Sequence, residues 1–121
     1  MSEEAELPPQ VQEQLMRFQQ LQQTLQAVVT QKQQLEIELA EVERSISELE
    51  KLTEDVPVYK SVGSILFKSE RAGLLNELKE RKELLNTRII VLAKQEERTR
   101  ERTKELQQRL QERLRTSPQP R

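Results

Sequence analysis

The sequence contains no cysteine, no histidine and no tryptophan in its 121 residues. Without cysteine, the chain has neither a disulfide framework nor a thiolate metal site, which fits a reducing compartment. Its only glycines are Gly63 and Gly73, so it has no glycine-rich loop to hold a nucleotide phosphate. We expect its many carboxylates to lie on solvated helix faces rather than in a pocket that excludes water. The sequence therefore predicts no catalysis, no metal and no cofactor.

Apolar and aromatic residues are also scarce. Only 34% of the chain is hydrophobic, and the aromatic residues are Phe18, Tyr59 and Phe67. Such a composition is typical either of a disordered chain or of a long helical assembly. No apolar run approaches the roughly 20 residues that span a bilayer. We therefore predict no membrane contact and, from the acidic start "MSEEAELPP", no secretory signal.

The small net charge of −1 hides an uneven distribution of charge along the chain. Residues 1–55 have a net charge of −8, whereas residues 56–93 have +3 and residues 94–121 have +4. These opposite charges favour pairing of the two halves within the chain. The alternative is a basic arm that binds nucleic acid, although glutamates interrupt it. The contacts of such an arm would be Arg98, Arg100, Arg102, Lys104, Arg109 and Arg113.

A heptad repeat predicts a first long helix over residues 8–54. Its two rows of seam positions start at Val11 and Gln14, and ten of the thirteen seam residues are apolar. No glycine or proline falls between Gln10 and Asp55. A helix of about 44 residues would be about 66 Å long. A small chain covers a helix of that length only if a matching helix lies along it.

A second heptad repeat predicts the matching helix over residues 69–115, with Ser69 as its N-cap. Because the connection between the two helices is short, we expect them to pair antiparallel within the chain. The predicted fold class is therefore mainly α, a long antiparallel two-helix coiled coil in a single domain over residues 1–121. Residues 116–121, "TSPQPR", are predicted to be a flexible tail because two prolines end the helix.

Toward the termini the predicted seam becomes polar, at positions such as Glu96, Thr99 and Thr103. Because a buried carboxylate is costly, we expect this half of the coil to be loose or hydrated. Apolar residues nevertheless gather there, and they either close the end of the coil or form an adaptable exposed patch. These eight residues, the predicted contact residues, are Leu7, Val11, Leu15, Met16, Phe18, Leu106, Leu110 and Leu114.

A β-hairpin is predicted between the helices, where "VYKSVGSILFK" brings β-branched and aromatic residues into a polar chain. Residues 56–60 and 65–68 are the predicted strands, and residues 61–64 are the turn, with Gly63 available for a positive φ. An isolated hairpin is marginal in water, and the end of a coil cannot cover all its apolar side chains. We therefore expect hairpins of several chains to pair edge to edge into a shared sheet or barrel. The alternative is a hairpin that only caps its own coil.

This hairpin between two glutamine- and glutamate-rich heptad helices resembles a β-type subunit of the prefoldin family. The opening "VQEQLMRFQQLQQTLQAVVTQKQQLE" resembles the first helix of that family, and "KQEER" at residues 94–98 resembles part of its second helix. The similarity extends from Leu7 to about Leu114, and the hairpin is its most specific part. A single hairpin fits the β type, whereas the α type carries two.

The resemblance implies an ATP-independent molecular chaperone of the cytoplasm. Two α-type and four β-type subunits would form a hexamer whose hairpins build a double β-barrel. Its coiled coils would hold non-native client proteins at their tips and deliver them to a group II chaperonin, without nucleic acid or membrane. The eight predicted contact residues would touch clients. The residues that contact other subunits in the assembly would be Val58, Tyr59, Lys60, Gly63, Ile65, Leu66 and Phe67.

Two other functions remain open at this point. One is a coiled-coil scaffold whose tips bind a dedicated partner instead of many unfolded proteins. The other is the RNA-binding helical arm formed by the basic residues of the second helix.

Overall fold

Two long helices joined by one antiparallel β-hairpin make up the computed structural model, which describes residues 7–116. The elements in chain order are helix α1 at Pro9–Glu50, strand β1 at Val58–Val62, strand β2 at Ile65–Ser69 and helix α2 at Arg71–Thr116. The predicted mainly α class with a single hairpin is confirmed. The predicted tail beyond Thr116 lies outside the described residues. None of the described helices has an apolar stretch of the length that a bilayer requires.

Helix α1 ends at Glu50 instead of continuing to residue 54. The Arg71 guanidinium donates through Nε to the carbonyl of Leu49 at 2.8 Å and through Nη2 to that of Glu50 at 3.4 Å. A cation at this position satisfies carbonyls that have no partner within the helix and interacts favourably with the helix dipole. In the connection that follows, the Thr53 hydroxyl donates to the Asp55 carboxylate and lowers the pKa of that carboxyl below its ordinary value.

The predicted N-cap at Ser69 is wrong. Ser69 is the last residue of β2 and lies opposite Val58 in the hairpin. The N-cap is instead the next residue, Glu70, because its carbonyl accepts a hydrogen bond from the Leu74 amide at 3.0 Å. Ser69 therefore still pairs with β1, although serine is a residue type that favours the N-cap of a helix.

The described residues belong to two compact units, and both helices contribute to each. The hairpin unit is Gln31–Val91, which includes the whole β-hairpin. The terminal unit consists of residues 7–30 and 92–116. The single domain over residues 1–121 stays a prediction.

The core of the hairpin unit lies between the two helices. Val42, Ile46, Leu75 and Leu85 form its buried cluster, and seam leucines on both helices pack against it. Two ion pairs join the helices outside this core, Glu38 with Arg81 and Glu43 with Lys82. Early residues of α2 face late residues of α1 in these contacts, so the predicted antiparallel pairing is confirmed in this unit. Burial of each large apolar side chain contributes roughly 1.5–3 kcal/mol.

The terminal unit has its own core, so the predicted loose end is not what the structure has. Val11, Leu106 and Leu110 are buried together there. Thr99, a polar seam residue of the same unit, is also buried, and its hydroxyl donates to the carbonyl of Gln95 at 2.8 Å within its own helix. A buried hydroxyl that keeps its hydrogen bond costs little.

Candidate functional site

The two strands of the hairpin are joined by the tight turn Gly63–Ser64, since Val62 lies opposite Ile65. Gly63 has a φ of 59°, and no described residue other than glycine has a positive φ. A positive φ at the first central position alone is the pattern of a type II′ turn, which matches the right-handed twist of paired strands. The predicted turn over residues 61–64 is therefore shorter, and its first two residues belong to β1.

One face of the hairpin is held against the helices of its unit. Val58 is buried, and the Lys60 ammonium donates to the Glu77 carboxylate of α2 at 2.8 Å. Val58 and Lys60 lie two residues apart on one strand, so they share a face of the sheet. A groove of about 630 Å³ lies beside them, with Leu49 and Leu74 among its lining residues. The helices thus cover this face only around Val58.

Most apolar side chains of the hairpin remain exposed, on both faces. Among the predicted assembly residues, Tyr59 is 59% exposed, Ile65 56%, Leu66 69% and Phe67 51%. Tyr59 and Leu66 belong to the face away from the helices, because their register places them alternate to Val58. The sheet has only two strands, so each strand has one edge without a strand partner in the described chain. Exposed apolar faces with open edges are typical of a surface that pairs with another chain.

The terminal unit brings together five of the eight predicted contact residues. Val11, Leu106 and Leu110 form the buried cluster, and Leu15 and Phe18 are half-buried against it. The other three residues are exposed and lie outside this cluster: Leu7, Met16 and Leu114.

Sequence reasoning missed Leu21 as a member of this site. Leu21 packs against the same cluster, and it lies one heptad after Gln14 in the seam row that starts there. Gln14 is also part of the seam, and its buried Oε1 has no hydrogen-bond partner among the residues that the structure describes.

Arginines surround a second groove of the terminal unit, with a volume of about 450 Å³. Leu21 and Leu106 form its apolar part, and Arg17, Arg102 and Arg109 flank it. Arg102 and Arg109 belong to the basic arm recognised in the sequence. Arg17 was missed because it stands alone in an acidic stretch, and only the antiparallel register of the helices brings it to the others.

Two further cations of the predicted nucleic-acid arm have partners elsewhere in the terminal unit. Arg100 pairs with Glu96 one turn earlier on the same helix at 3.0 Å, and Arg113 donates to the Gln10 amide oxygen at 3.2 Å. Within residues 7–116, no cluster of three or more acidic side chains has the geometry to hold a metal ion.

Comparisons with known proteins agree on one family. A family model for prefoldin subunits matches residues 12–117. The prefoldin subunit beta of Methanothrix thermoacetophila is 55% identical over 93 residues, which cover 77% of this chain and 78% of the relative. The prefoldin subunit beta of Archaeoglobus fulgidus is 50% identical over 95 residues, which cover 78% and 82%. The crystal structure of the prefoldin beta subunit from Thermococcus strain KS-1 matches with a TM-score of 0.80 and 38% identity, over 94% of this chain and 98% of that one.

Proposed function

Since the chain belongs to the prefoldin family as a β-type chaperone subunit, we propose that it takes part in ATP-independent holding of non-native proteins. It assembles through its hairpin with α-type subunits, in a hexamer of two α-type and four β-type chains. The complex works in the cytoplasm and passes its clients to a group II chaperonin. Holding of this kind needs no catalytic residue.

The observation that carries the assembly proposal is the exposed hairpin. Tyr59, Val62, Ile65, Leu66 and Phe67 are each more than half exposed. Fully burying one such side chain contributes roughly 1.5–3 kcal/mol, so edge-to-edge pairing of hairpins gains far more than a hairpin that caps its own helices. The same pairing satisfies the open strand edges with backbone hydrogen bonds. A shared β-barrel is the arrangement that leaves no edge open.

Clients bind at the terminal unit. The exposed Met16 and Leu114 give an unfolded chain its first contact, since flexible apolar side chains adapt to many sequences. The buried cluster of Val11, Leu106 and Leu110 becomes accessible to a client when the helix ends separate. Each contact is weak, but several linked subunits raise the avidity by about 10²–10⁴.

Native mass measurement tests the assembly. The full chain is measured alone and mixed with an α-type subunit, together with the variant Leu66→Ser/Phe67→Ser. The control Ile90→Ser/Val91→Ser removes two apolar side chains of α2 that are exposed to a similar degree. We expect a hexamer from the wild type and the control in the mixture, and smaller species from the hairpin variant. A wild type that stays monomeric in both samples contradicts assembly through the hairpin.

Suppression of aggregation tests client holding, with several unrelated proteins diluted from denaturant. The variant Met16→Ser/Leu114→Ser should protect them less than the wild type does, because it loses the first apolar contacts. The matched control Ile37→Ser/Leu84→Ser removes exposed apolar side chains of the hairpin unit and should protect them fully. Protection of none of the proteins by the wild-type complex would favour the scaffold with a dedicated partner.

A further inference from the structure

We propose that the arginine-flanked groove of the terminal unit selects client segments in which carboxylates stand beside apolar residues. The inference rests on the proposed holding function and adds the chemical class of the segment that is held. The groove is the volume of about 450 Å³ bounded by Arg17, Leu21, Arg102, Leu106 and Arg109, with Glu105 as its only acidic lining residue.

The groove collects positive charge from both helices. Arg17 belongs to α1, whereas Arg102 and Arg109 belong to α2. All three side chains are exposed, so their guanidinium groups remain hydrated and reachable from solvent. Between them lies the apolar surface of Leu21 and Leu106. A ligand that fills this groove therefore meets an apolar centre with cations on its sides.

These three arginines are not used by the fold. Arg71 and Arg81 hold the two helices of the hairpin unit together. By contrast, none of the three groove arginines makes a hydrogen bond or ion pair with another residue within 7–116. A guanidinium presents a planar fork of donors that fits a carboxylate through two parallel hydrogen bonds. The groove therefore has three such forks available for a ligand.

The groove is continuous with the proposed client site. Leu106 is a member of the buried cluster with Val11 and Leu110, and Leu21 packs against that cluster. A client segment that places apolar side chains on this surface brings its neighbouring residues within reach of the arginines. Acidic neighbours then gain ion pairs, whereas basic neighbours meet charges of their own sign.

The lining chemistry favours a polypeptide over a nucleic acid. Single-stranded nucleic acids bind through rows of cations together with exposed aromatic rings on which bases stack. Phe18 is the sole aromatic residue in the described parts of the terminal unit, and it is half-buried in the cluster.

Peptide binding to the full chain tests the inference directly. Three short fluorescent peptides carry the same leucines and phenylalanines and differ only in having glutamate, glutamine or lysine at the intervening positions. Anisotropy should give the glutamate peptide an affinity roughly threefold to thirtyfold above that of the glutamine peptide, as expected for a few exposed ion pairs. The lysine peptide should bind more weakly than both. The preference should shrink at high salt, where the Debye length falls to about 3 Å.

Two charge-matched variants assign the preference to the groove. Arg17→Gln/Arg102→Gln/Arg109→Gln should bind the glutamate and glutamine peptides equally, with its affinity for the glutamine peptide unchanged. The control Lys79→Gln/Arg88→Gln/Lys94→Gln removes the same number of exposed cations outside the groove lining and should keep the full preference. An equal loss in the control would mean that total charge, not the groove, causes the preference, and this result would overturn the inference.

Other outcomes separate this inference from the function on which it rests. Equal binding of the three peptides by a wild type that still suppresses aggregation overturns the inference and leaves the holding function intact. Absence of both peptide binding and aggregation suppression overturns the two together. A single-stranded RNA with as many nucleotides as the peptides have residues is the last comparison. If it binds more tightly than the glutamate peptide, the groove is a nucleic-acid site and the inference is overturned.

Discussion

Two neighbouring leucines of α2 have opposite surroundings. Leu85 is 0% exposed and belongs to the core cluster of the hairpin unit, whereas Leu84 is 43% exposed. The heptad pattern explains the difference, because only one of two consecutive residues can occupy the seam between two helices. The pair therefore offers two identical side-chain deletions in nearly the same place on the helix.

We expect Leu85→Ala to lower the free energy of unfolding by about 3 kcal/mol, since it removes buried methyl groups and leaves a cavity. Leu84→Ala should lower it by less than about 1 kcal/mol, because that side chain is already partly in water. Urea unfolding followed by circular dichroism, at one fixed chain concentration, gives both values. Equal losses for the two variants would show that Leu85 does not pack as the structure has it.

Single residues also show where sequence reasoning stops. The apolar seam positions of both helices were predicted from their spacing alone, and Val42, Ile46, Leu75 and Leu85 are indeed buried together. The polar seam position Thr99 was predicted to loosen the pairing, yet it is 8% exposed. Its hydroxyl uses a carbonyl of its own helix, and a heptad pattern does not reveal that local hydrogen bond.

The hairpin is the element whose geometry depends most on one residue. Gly63 holds the first central position of the type II′ turn with a φ of 59°. A Cβ at this position would meet no atom within 4 Å, and the same is true of Gly73 in α2. Any difference between alanine substitutions at the two positions therefore comes from backbone conformation and not from crowding.

We expect Gly63→Ala and Gly73→Ala to have opposite signs. The first should destabilise the hairpin by about 1–2 kcal/mol, because an L-residue is strained at this φ. The second should stabilise the chain by roughly 0.5–1 kcal/mol, because alanine is the better helix former. Hydrogen exchange of the strand amides and thermal unfolding measure the two effects. A destabilising Gly73→Ala would contradict the helical start of α2.

Element boundaries were harder to predict than element types. The strands were expected at residues 56–60 and 65–68, and the structure has Val58–Val62 and Ile65–Ser69. β-propensity marks apolar residues, whereas the register is set by the turn at Gly63. The end of α1 was missed for a similar reason, since it depends on the distant Arg71. A local turn decided the strand boundaries and a distant side chain the end of α1, and neither β-propensity nor heptad spacing reports them.

Across the whole molecule, charge is segregated between an acidic first half and a basic second half. In the hairpin unit this segregation produces the pairs Glu38–Arg81 and Glu43–Lys82, whose side chains are 37–50% exposed. Exposed pairs of this kind contribute about 0.2–1 kcal/mol each. The charges thus support the antiparallel pairing, whereas the buried seam supplies most of its stability.

Arg81→Gln/Lys82→Gln should therefore lower the free energy of unfolding by about 0.5–2 kcal/mol at low salt. The loss should fall at high salt, where exposed charges are screened. Lys79→Gln/Arg88→Gln is the matched control, since these exposed cations make no ion pair within the described residues. Urea unfolding at two salt concentrations checks the prediction. A loss that does not depend on salt would point to packing by the arginine stem instead of charge.

The sequence predicted the candidate site only in part. The hairpin residues were identified as a surface for other chains, and Tyr59, Leu66 and Phe67 are exposed. At the terminal unit, the sequence could place Val11, Leu106 and Leu110 at one site but could not say whether they face water. Whether these residues face water depends on the stability of the helix pairing in the terminal unit. A few contacts decide that stability, and heptad spacing does not predict them.

The hydrogen bonds that Arg71 donates to the last carbonyls of α1 have a consequence for folding kinetics. The bond to Leu49 joins residues only 22 apart in the chain, the Glu38–Arg81 contact joins residues 43 apart, and the Gln10–Arg113 contact joins residues 103 apart. Closing a short loop costs less entropy than closing a long one. We therefore expect a newly made chain to fold first around the contact between Arg71 and the end of α1, and then toward the two termini. Pulse-labelled amides after Arg71 should gain protection before those near Leu106, so the part of the molecule that we propose to hold clients would be the last to form.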